Sequence, residues 1–98
     1  MHVTATFHEA RAYRAVFVVG HPRPSDLALG IHVVQLGNRR IGTAHVSIPL
    51  NGLYPERYSL FIELVPQRQV TDASKAGTWV YFVLHAGGKV DVGRIVPA

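Results

Sequence analysis

Histidine is the residue type in this chain that is best suited to chemistry, because six histidines occur among 98 residues. Imidazole is a frequent metal ligand and a general base near neutral pH. However, the sequence contains neither a His-x-His nor a His-x3-His pair, and it has no cysteine that could complete a zinc site. The spacing therefore predicts no metal site, and we expect no cofactor.

Two histidines could still meet through the fold. A hairpin with its turn at Gly37-Asn38 sets His32 opposite Thr43, whereas a turn one residue later makes His32 face His45. The two arrangements differ because a shift of one residue turns every side chain to the other face. Both residues of the first turn tolerate positive φ, so the first turn has the better chemistry. A small enzyme with a histidine-containing pocket is therefore only the second alternative.

Catalysis by a nucleophile has no support in the sequence. None of the serines stands in a nucleophile elbow with flanking glycines, and the lack of cysteine excludes a Cys-His dyad. Glu63 lies in the middle of a predicted strand among apolar residues, where a glutamate that faces outward is more common than a buried carboxylate. We therefore predict no catalytic residues and no enzymatic activity.

Two short segments carry the basic residues that could contact an anionic partner. His21 and Arg23 belong to the proline-broken segment 21–24, and Arg39 and Arg40 follow the predicted turn. Positive side chains at loop tips favour phosphate backbones. These four residues are the candidate basic contact surface. A nucleic-acid-binding β-domain that uses loops 21–24 and 39–40 is the first alternative.

Base stacking would require aromatic side chains that share an open face. The candidates are Tyr13, Phe61, Trp79 and Tyr81. None is interleaved with lysine or arginine along the chain, and no aromatic ribonucleoprotein signature is present. The sequence therefore favours nucleic-acid binding less than protein binding.

The composition predicts a single domain over residues 1–98 that is short of charge. Hydrophobic residues make up 48% of the chain and charged residues 16%, against roughly 25% charged in an average globular protein. Ten basic and six acidic residues give a net charge of +4. Such a surface is either typical of a small β-protein or partly covered by a partner.

The chain carries no pattern that directs it to a membrane or out of the cell. Its start lacks a charged segment followed by an apolar one, so we expect no signal peptide. The longest apolar runs are far below the ~20 residues that span a bilayer. Without cysteine, a disulfide scaffold is excluded. We expect a soluble, cytoplasmic protein with no membrane span.

Blocks of β-favouring residues recur along the chain, and each one ends at a glycine or proline turn. This rhythm predicts an all-β fold, an antiparallel β-sandwich of about seven strands, with a small closed β-barrel as the alternative. Residues 29–48 should form a hairpin, and residues 66–77 a surface loop. The strands are predicted at 2–8, 12–19, 29–36, 40–48, 57–65, 78–85 and 89–96.

The apolar strand residues also predict a core. Alternation is clearest in the fifth strand, where Leu60 and Ile62 share a face with Tyr58 and Leu64. The second strand is apolar on both faces in its second half, so we expect it to lie centrally or to be covered on both sides. The predicted core residues are Val16, Val18, Leu60, Ile62, Trp79 and Val83.

The segment from Arg39 to Leu50 resembles the central strands of C2-type β-sandwiches, in which an Ile-Gly pair precedes a strand that ends in Pro-Leu. The similarity covers about a dozen residues and identifies no family. It implies a sandwich without the calcium chemistry of those domains. Their loops cluster aspartates, whereas Asp26, Asp72 and Asp91 are scattered here.

Edge strands lead to the main functional hypothesis. An open sandwich has sheet edges, which proteins usually protect with charge, proline or a bulge. The first predicted strand has no lysine or arginine, and charged residues are too few to protect every edge. We therefore expect a non-enzymatic binding or assembly module that acts through a protein–protein surface, as a homo-oligomer.

Overall fold

The computed structural model describes residues 1–21, 28–66 and 77–97, and every element in them is a β-strand. Nearly all of the predicted loop 66–77 lies outside the described residues. The described part contains no helix that is long and apolar enough to cross a membrane. The strands are β1 (His2–Phe7), β2 (Tyr13–Gly20), β3 (Ala28–Gly37), β4 (Gly42–Ser47), β5 (Arg57–Pro66), β6 (Gly77–Leu84) and β7 (Val90–Val96).

Two antiparallel sheets pack against each other. The large sheet has the strand order β3-β2-β5-β6-β7, and the small sheet pairs β1 with β4. Among the described strands, no ladder joins the two sheets into a closed barrel. The prediction of an antiparallel sandwich is confirmed. The inner face of the large sheet is the face toward the small sheet, and the outer face is the opposite one.

The predicted hairpin of residues 29–48 is wrong, because β3 and β4 belong to different sheets. Gly37 does adopt a positive φ of 69°, but the chain leaves the large sheet there instead of turning back along β3. It enters the small sheet at Gly42, which packs closely against Ala10 and Leu36. The chain takes this path because β3 and β4 contribute buried side chains, Leu36 and Ala44, to the same apolar core from opposite sheets.

His32 and His45, the two histidines of the predicted hairpin, lie in different sheets. His32 pairs with Phe17 of β2 in the large sheet. His45 pairs with Thr4 of β1 in the small sheet, and the Thr4 hydroxyl lies 3.2 Å from His45 Nδ1. No ladder of the described residues therefore sets His32 opposite His45 or opposite Thr43.

Strand β2 lies centrally, between β3 and β5, as its apolar run predicts. Ala15 and Phe17 on the inner face are fully buried, and Val16 on the outer face is only 1% exposed. The main core lies between the sheets and is built from both. Its buried members are Ala10, Ala15, Phe17, Val19, Leu36, Ala44, Ile48, Tyr58, Leu60, Phe82 and Leu84.

The core prediction is right for β5 and wrong for Trp79. Leu60 is buried in the main core and Ile62 packs against it, whereas the Trp79 residue is 39% exposed. Val80 and Phe82 take the inward positions of β6, so Trp79 lies on the outer face. Both faces of β6 are apolar, and a strand of that kind gives no alternation from which its inward face could be predicted.

The other predicted core residues lie on the outer face. Val16 is buried there, and Val18 and Val83 are partly buried. Their positions follow from the alternation along β2 and β6, where Phe17 and Phe82 point inward.

The close contact at Gly42 gives a direct test of how the chain crosses between the sheets. A Cβ atom there would lie 2.6 Å from the Cβ of Ala10 and 3.3 Å from that of Leu36. We expect Gly42→Ala to lower the free energy of unfolding by about 1–3 kcal/mol through overpacking. The measurement is chemical denaturation.

Gly30→Ala is the matched control, because its added Cβ would meet only His32 Nε2, at an ordinary 3.6 Å. Restriction of the unfolded chain should leave its stability unchanged or raise it by about 0.4–1 kcal/mol. Equal losses of stability in both variants would contradict the described path.

Candidate functional site

The described members of the candidate basic contact surface, His21 and the pair Arg39 and Arg40, follow strand residues at opposite ends of one ladder. Gly20, next to His21, pairs with Ala28 at one end of the β2–β3 ladder, and Gly37, just before Arg39 and Arg40, lies at the other end. A ten-residue strand such as β3 spans roughly 30 Å. Arg39 and Arg40 are exposed. Arg23 lies outside the described residues.

His21 is tied into the structure by three contacts. Its Nδ1 lies 2.9 Å from Glu56 Oε1, and its ring centroid lies 5.5 Å from that of Tyr58. Its backbone carbonyl accepts a 3.0 Å hydrogen bond from the Ser59 hydroxyl. These contacts join the end of β2 to the start of β5. His21 therefore serves as a structural link between these two strands.

Tyr58 anchors the crossing from β4 to β5. Its hydroxyl donates a 2.6 Å hydrogen bond to the carbonyl of Tyr54, four residues earlier, and its ring is buried. This is the arrangement of a tyrosine corner, which fixes the entry of a strand into a sandwich. Burial raises the pKa of Tyr58 above 10.0, and the negative charge of Glu56 adds to the rise.

Several polar side chains of the described residues are held by neighbouring backbone or side-chain groups. No group of three or more metal-ligating side chains occurs in residues 1–21, 28–66 and 77–97. The Ser59 hydroxyl bonds to the carbonyls of Gly20 and His21, so it is not directed at a base. His85 Nε2 lies 2.7 Å from Asp91 Oδ2 in an exposed pair that joins β6 to β7.

An aromatic row crosses the outer face of the large sheet. The Phe61 and Trp79 rings lie 4.6 Å apart, and the Trp79 and Tyr81 rings 6.4 Å apart. The guanidinium carbon of Arg94 stands 5.6 Å from the Tyr81 ring centroid. A side chain at Gly77 would overlap the Phe61 ring, so glycine there makes room for it. The four residues Phe61, Trp79, Tyr81 and Arg94 are called the aromatic row below.

The arginine of the aromatic row could not be found from the sequence, where the aromatics are not interleaved with basic residues. Arg94 reaches Tyr81 because β6 and β7 pair with a register shift between Val80 and Phe82. A register shift of that kind changes the direction in which a side chain located at the bulge points. Stacking and cation–π contact thus arise from tertiary pairing.

Glu63 lies on the outer face and is only 4% exposed, so the expectation of an exposed glutamate is wrong. It pairs with Val16, and the next outer-face pair along this ladder is Arg14 with Val65. A buried carboxylate is costly without a compensating partner. In this register, Glu63 lies diagonally across the ladder from Arg14, whose guanidinium carries the opposite charge.

Strand β3 is an edge of the large sheet and presents large apolar side chains to solvent. Leu29, Ile31 and Val33 are 44%, 61% and 49% exposed. The ten residues of β3 include no lysine, arginine, aspartate or glutamate. The three exposed residues are called the β3 strip below, and they form an apolar surface along an unprotected edge.

Compared with family models, with curated proteins and with solved structures, the chain shows no match.

The buried hydroxyl of Tyr58 leads to a pH dependence of stability. Its pKa in the folded protein is raised above 10.0, so folding favours the neutral phenol. The stabilising contribution is complete below pH 10.0 and is lost as the pH rises toward the folded pKa. We expect wild-type stability to fall above this pH more steeply than that of Tyr58→Phe.

The measurement is denaturant unfolding over a range of alkaline pH, with tyrosinate absorbance as a second signal. At neutral pH, Tyr58→Phe should cost about 0.5–1.5 kcal/mol for the lost hydrogen bond. Tyr54→Phe is the control, since Tyr54 is 80% exposed. Parallel alkaline curves for wild type and Tyr58→Phe would contradict the assignment.

Proposed function

We propose that this protein is a non-enzymatic binding and assembly module that self-associates through strand β3. The observation that carries the proposal is the β3 strip, on an edge strand that bears no charge. Long apolar edges without charge or proline invite pairing with another strand, and between the register shifts at its two ends β3 is regular from Gly30 to Gln35. A second copy supplies an edge of the same length and character.

The two edges of the large sheet differ in a way that supports this choice. Strand β7 carries Asp91 and Arg94, and Lys89 stands directly before it. Charges at these positions oppose edge pairing, and β3 has none. Antiparallel pairing of two β3 strands would join the two β3 strips into one apolar surface. A stable dimer of this kind should bury roughly 1,000 Å² or more in total.

The test of self-association places a charge in the β3 strip. We expect wild type to be a dimer at micromolar concentration, and Ile31→Lys to weaken the dimer by about two orders of magnitude, because both copies lose apolar burial and two like charges approach across the ladder. Light scattering over a range of protein concentrations measures the native mass. A thermal melt shows whether each variant is folded.

Ile95→Lys is the matched control, because Ile95 is the same residue type on the opposite edge strand and is 57% exposed against 61% for Ile31. It should leave the dimer intact. A wild-type protein that stays monomeric on concentration would overturn the proposal, as would equal dissociation of both variants.

A second candidate function is the binding of single-stranded nucleic acid on the outer face, and the aromatic row favours it. Aromatic faces next to arginine form stacking sites for bases. Arg57 shares this face, and a cavity of about 600 Å³ has Arg57, Tyr81 and Arg94 in its lining. The net charge of +4 has the required sign. This surface differs from loops 21–24 and 39–40, and contact through those loops stays a prediction.

The test of this candidate is oligonucleotide binding with Trp79→Ala. Each stacked base is worth about 1–3 kcal/mol, so the variant should bind roughly ten to a hundred times more weakly. Tyr54→Ala removes an exposed aromatic residue outside the aromatic row and should bind like wild type. Affinity measured by fluorescence anisotropy should fall with salt. Equal affinities for Trp79→Ala and wild type would rule out the aromatic row.

A further inference from the structure

The sandwich is open on the side of β6 and β7. The small sheet ends at β1, and beyond it the inner face of the large sheet forms an apolar groove of about 510 Å³. Val92 in its floor is 62% exposed. This surface is called the open groove below. Its inner-face lining consists of Leu60, Ile62, Val80, Phe82, Val90 and Val92.

The side wall of the open groove is the free edge of β1. The amino group of Met1 donates a 2.8 Å hydrogen bond to the carbonyl of Ile48, and the backbone N–H of Ile48 donates a 2.7 Å bond to the carbonyl of Met1. In an antiparallel ladder every second residue bonds to the partner strand. His2, Thr4 and Thr6 therefore direct their N–H and C=O groups away from β4. Within the described part of the chain, β1 pairs with β4 alone.

We propose that the open groove binds an extended segment of another protein, which adds a strand beside β1. The backbone groups of His2, Thr4 and Thr6 would pair with the incoming strand. Side chains alternate along a strand, so every second one would point into the groove onto Val80 and Val92. The unpaired edge of β1 therefore requires an extended partner, and the apolar floor requires that every second side chain of that partner be apolar.

The same geometry disfavours a second copy of β1 as the occupant. Strands β6 and β7 extend beyond β1 beneath the open groove. If two copies paired edge to edge through β1, the extending strands of both large sheets would occupy the same space. A single extended segment carries no large sheet of its own, so it can lie beside β1 without this overlap. The inference is therefore independent of self-association through β3, which belongs to the other sheet.

Charge adds a further requirement for the partner. No carboxylate lines the open groove, and His2 lies in its wall. Lys89 is exposed directly after Gly88, which lies at the same end of the groove. A partner segment should therefore be apolar at alternating positions and acidic where it meets His2 and Lys89.

The probe is a fluorescent peptide as long as β1 in which valine and threonine alternate, with aspartate at both ends. We expect wild type to bind it, and Val92→Asp to weaken binding roughly tenfold or more, because a carboxylate in the floor opposes apolar contact. Val96→Asp adds the same charge to the same strand on the outer face, because Val96 pairs with Trp79, so it should bind like wild type. Fluorescence anisotropy gives the affinities.

Thr4→Pro tests the backbone contribution. Its missing N–H points away from β4, so the ladder with β4 keeps its hydrogen bonds and the incoming strand loses a donor. Binding should weaken roughly tenfold. If this variant does not fold in a thermal melt, the comparison of Val92→Asp with Val96→Asp decides alone.

Three results would overturn the inference. They are no peptide binding by wild type at millimolar concentration, equal affinities for Val92→Asp and Val96→Asp, and loss of the protein's own dimer in Val92→Asp, which would make the groove the self-association surface. Ile31→Lys separates this inference from the proposed function. It should remove the dimer and leave peptide binding unchanged.

Discussion

The unequal division of strands between the two sheets is the constraint on which the rest of the structure depends. Five strands pair in one sheet and two in the other. At about 4.8 Å per strand, the small sheet is roughly 10 Å wide and the large sheet roughly 24 Å. Much apolar area of the large sheet therefore has no second sheet against it. The exposed side chain of Val92 on the inner face is a consequence of this mismatch.

Close contacts hold the chain at the points where it enters or leaves strands of the two sheets. Gly42 allows the entry into β4 by its lack of a side chain, and Tyr58 fixes the entry into β5 by its bond to a carbonyl. Ser59 satisfies two carbonyls at the end of β2. The Gly42 and Ser59 contacts join segments that are far apart in sequence, whereas the Tyr58 bond spans only four residues. The core can therefore form between sheets of different width without leaving these buried polar groups unpaired.

The sequence was sufficient to predict strand positions and fold class, because alternation and turn residues are local signals. It assigned the faces of β5 correctly, since polar Ser59 and Glu63 interrupt the apolar residues there. It failed for β6, which is apolar on both faces. It also failed for the hairpin, because Gly37 signals a change of direction and not the sheet that the chain enters next. The pairing of Arg94 with Tyr81 depends on a register that no local signal specifies.

The pairing of β1 with β4 has a consequence during synthesis. His2 pairs with Ser47, so the partner of β1 is absent until the ribosome has added about 45 further residues. At 5–20 residues per second, the ribosome needs roughly 2–9 s to add these residues. Throughout that interval both edges of β1 are unpaired. Since β1 has no charged residue to discourage premature association, the nascent chain depends on low local concentration or on chaperones.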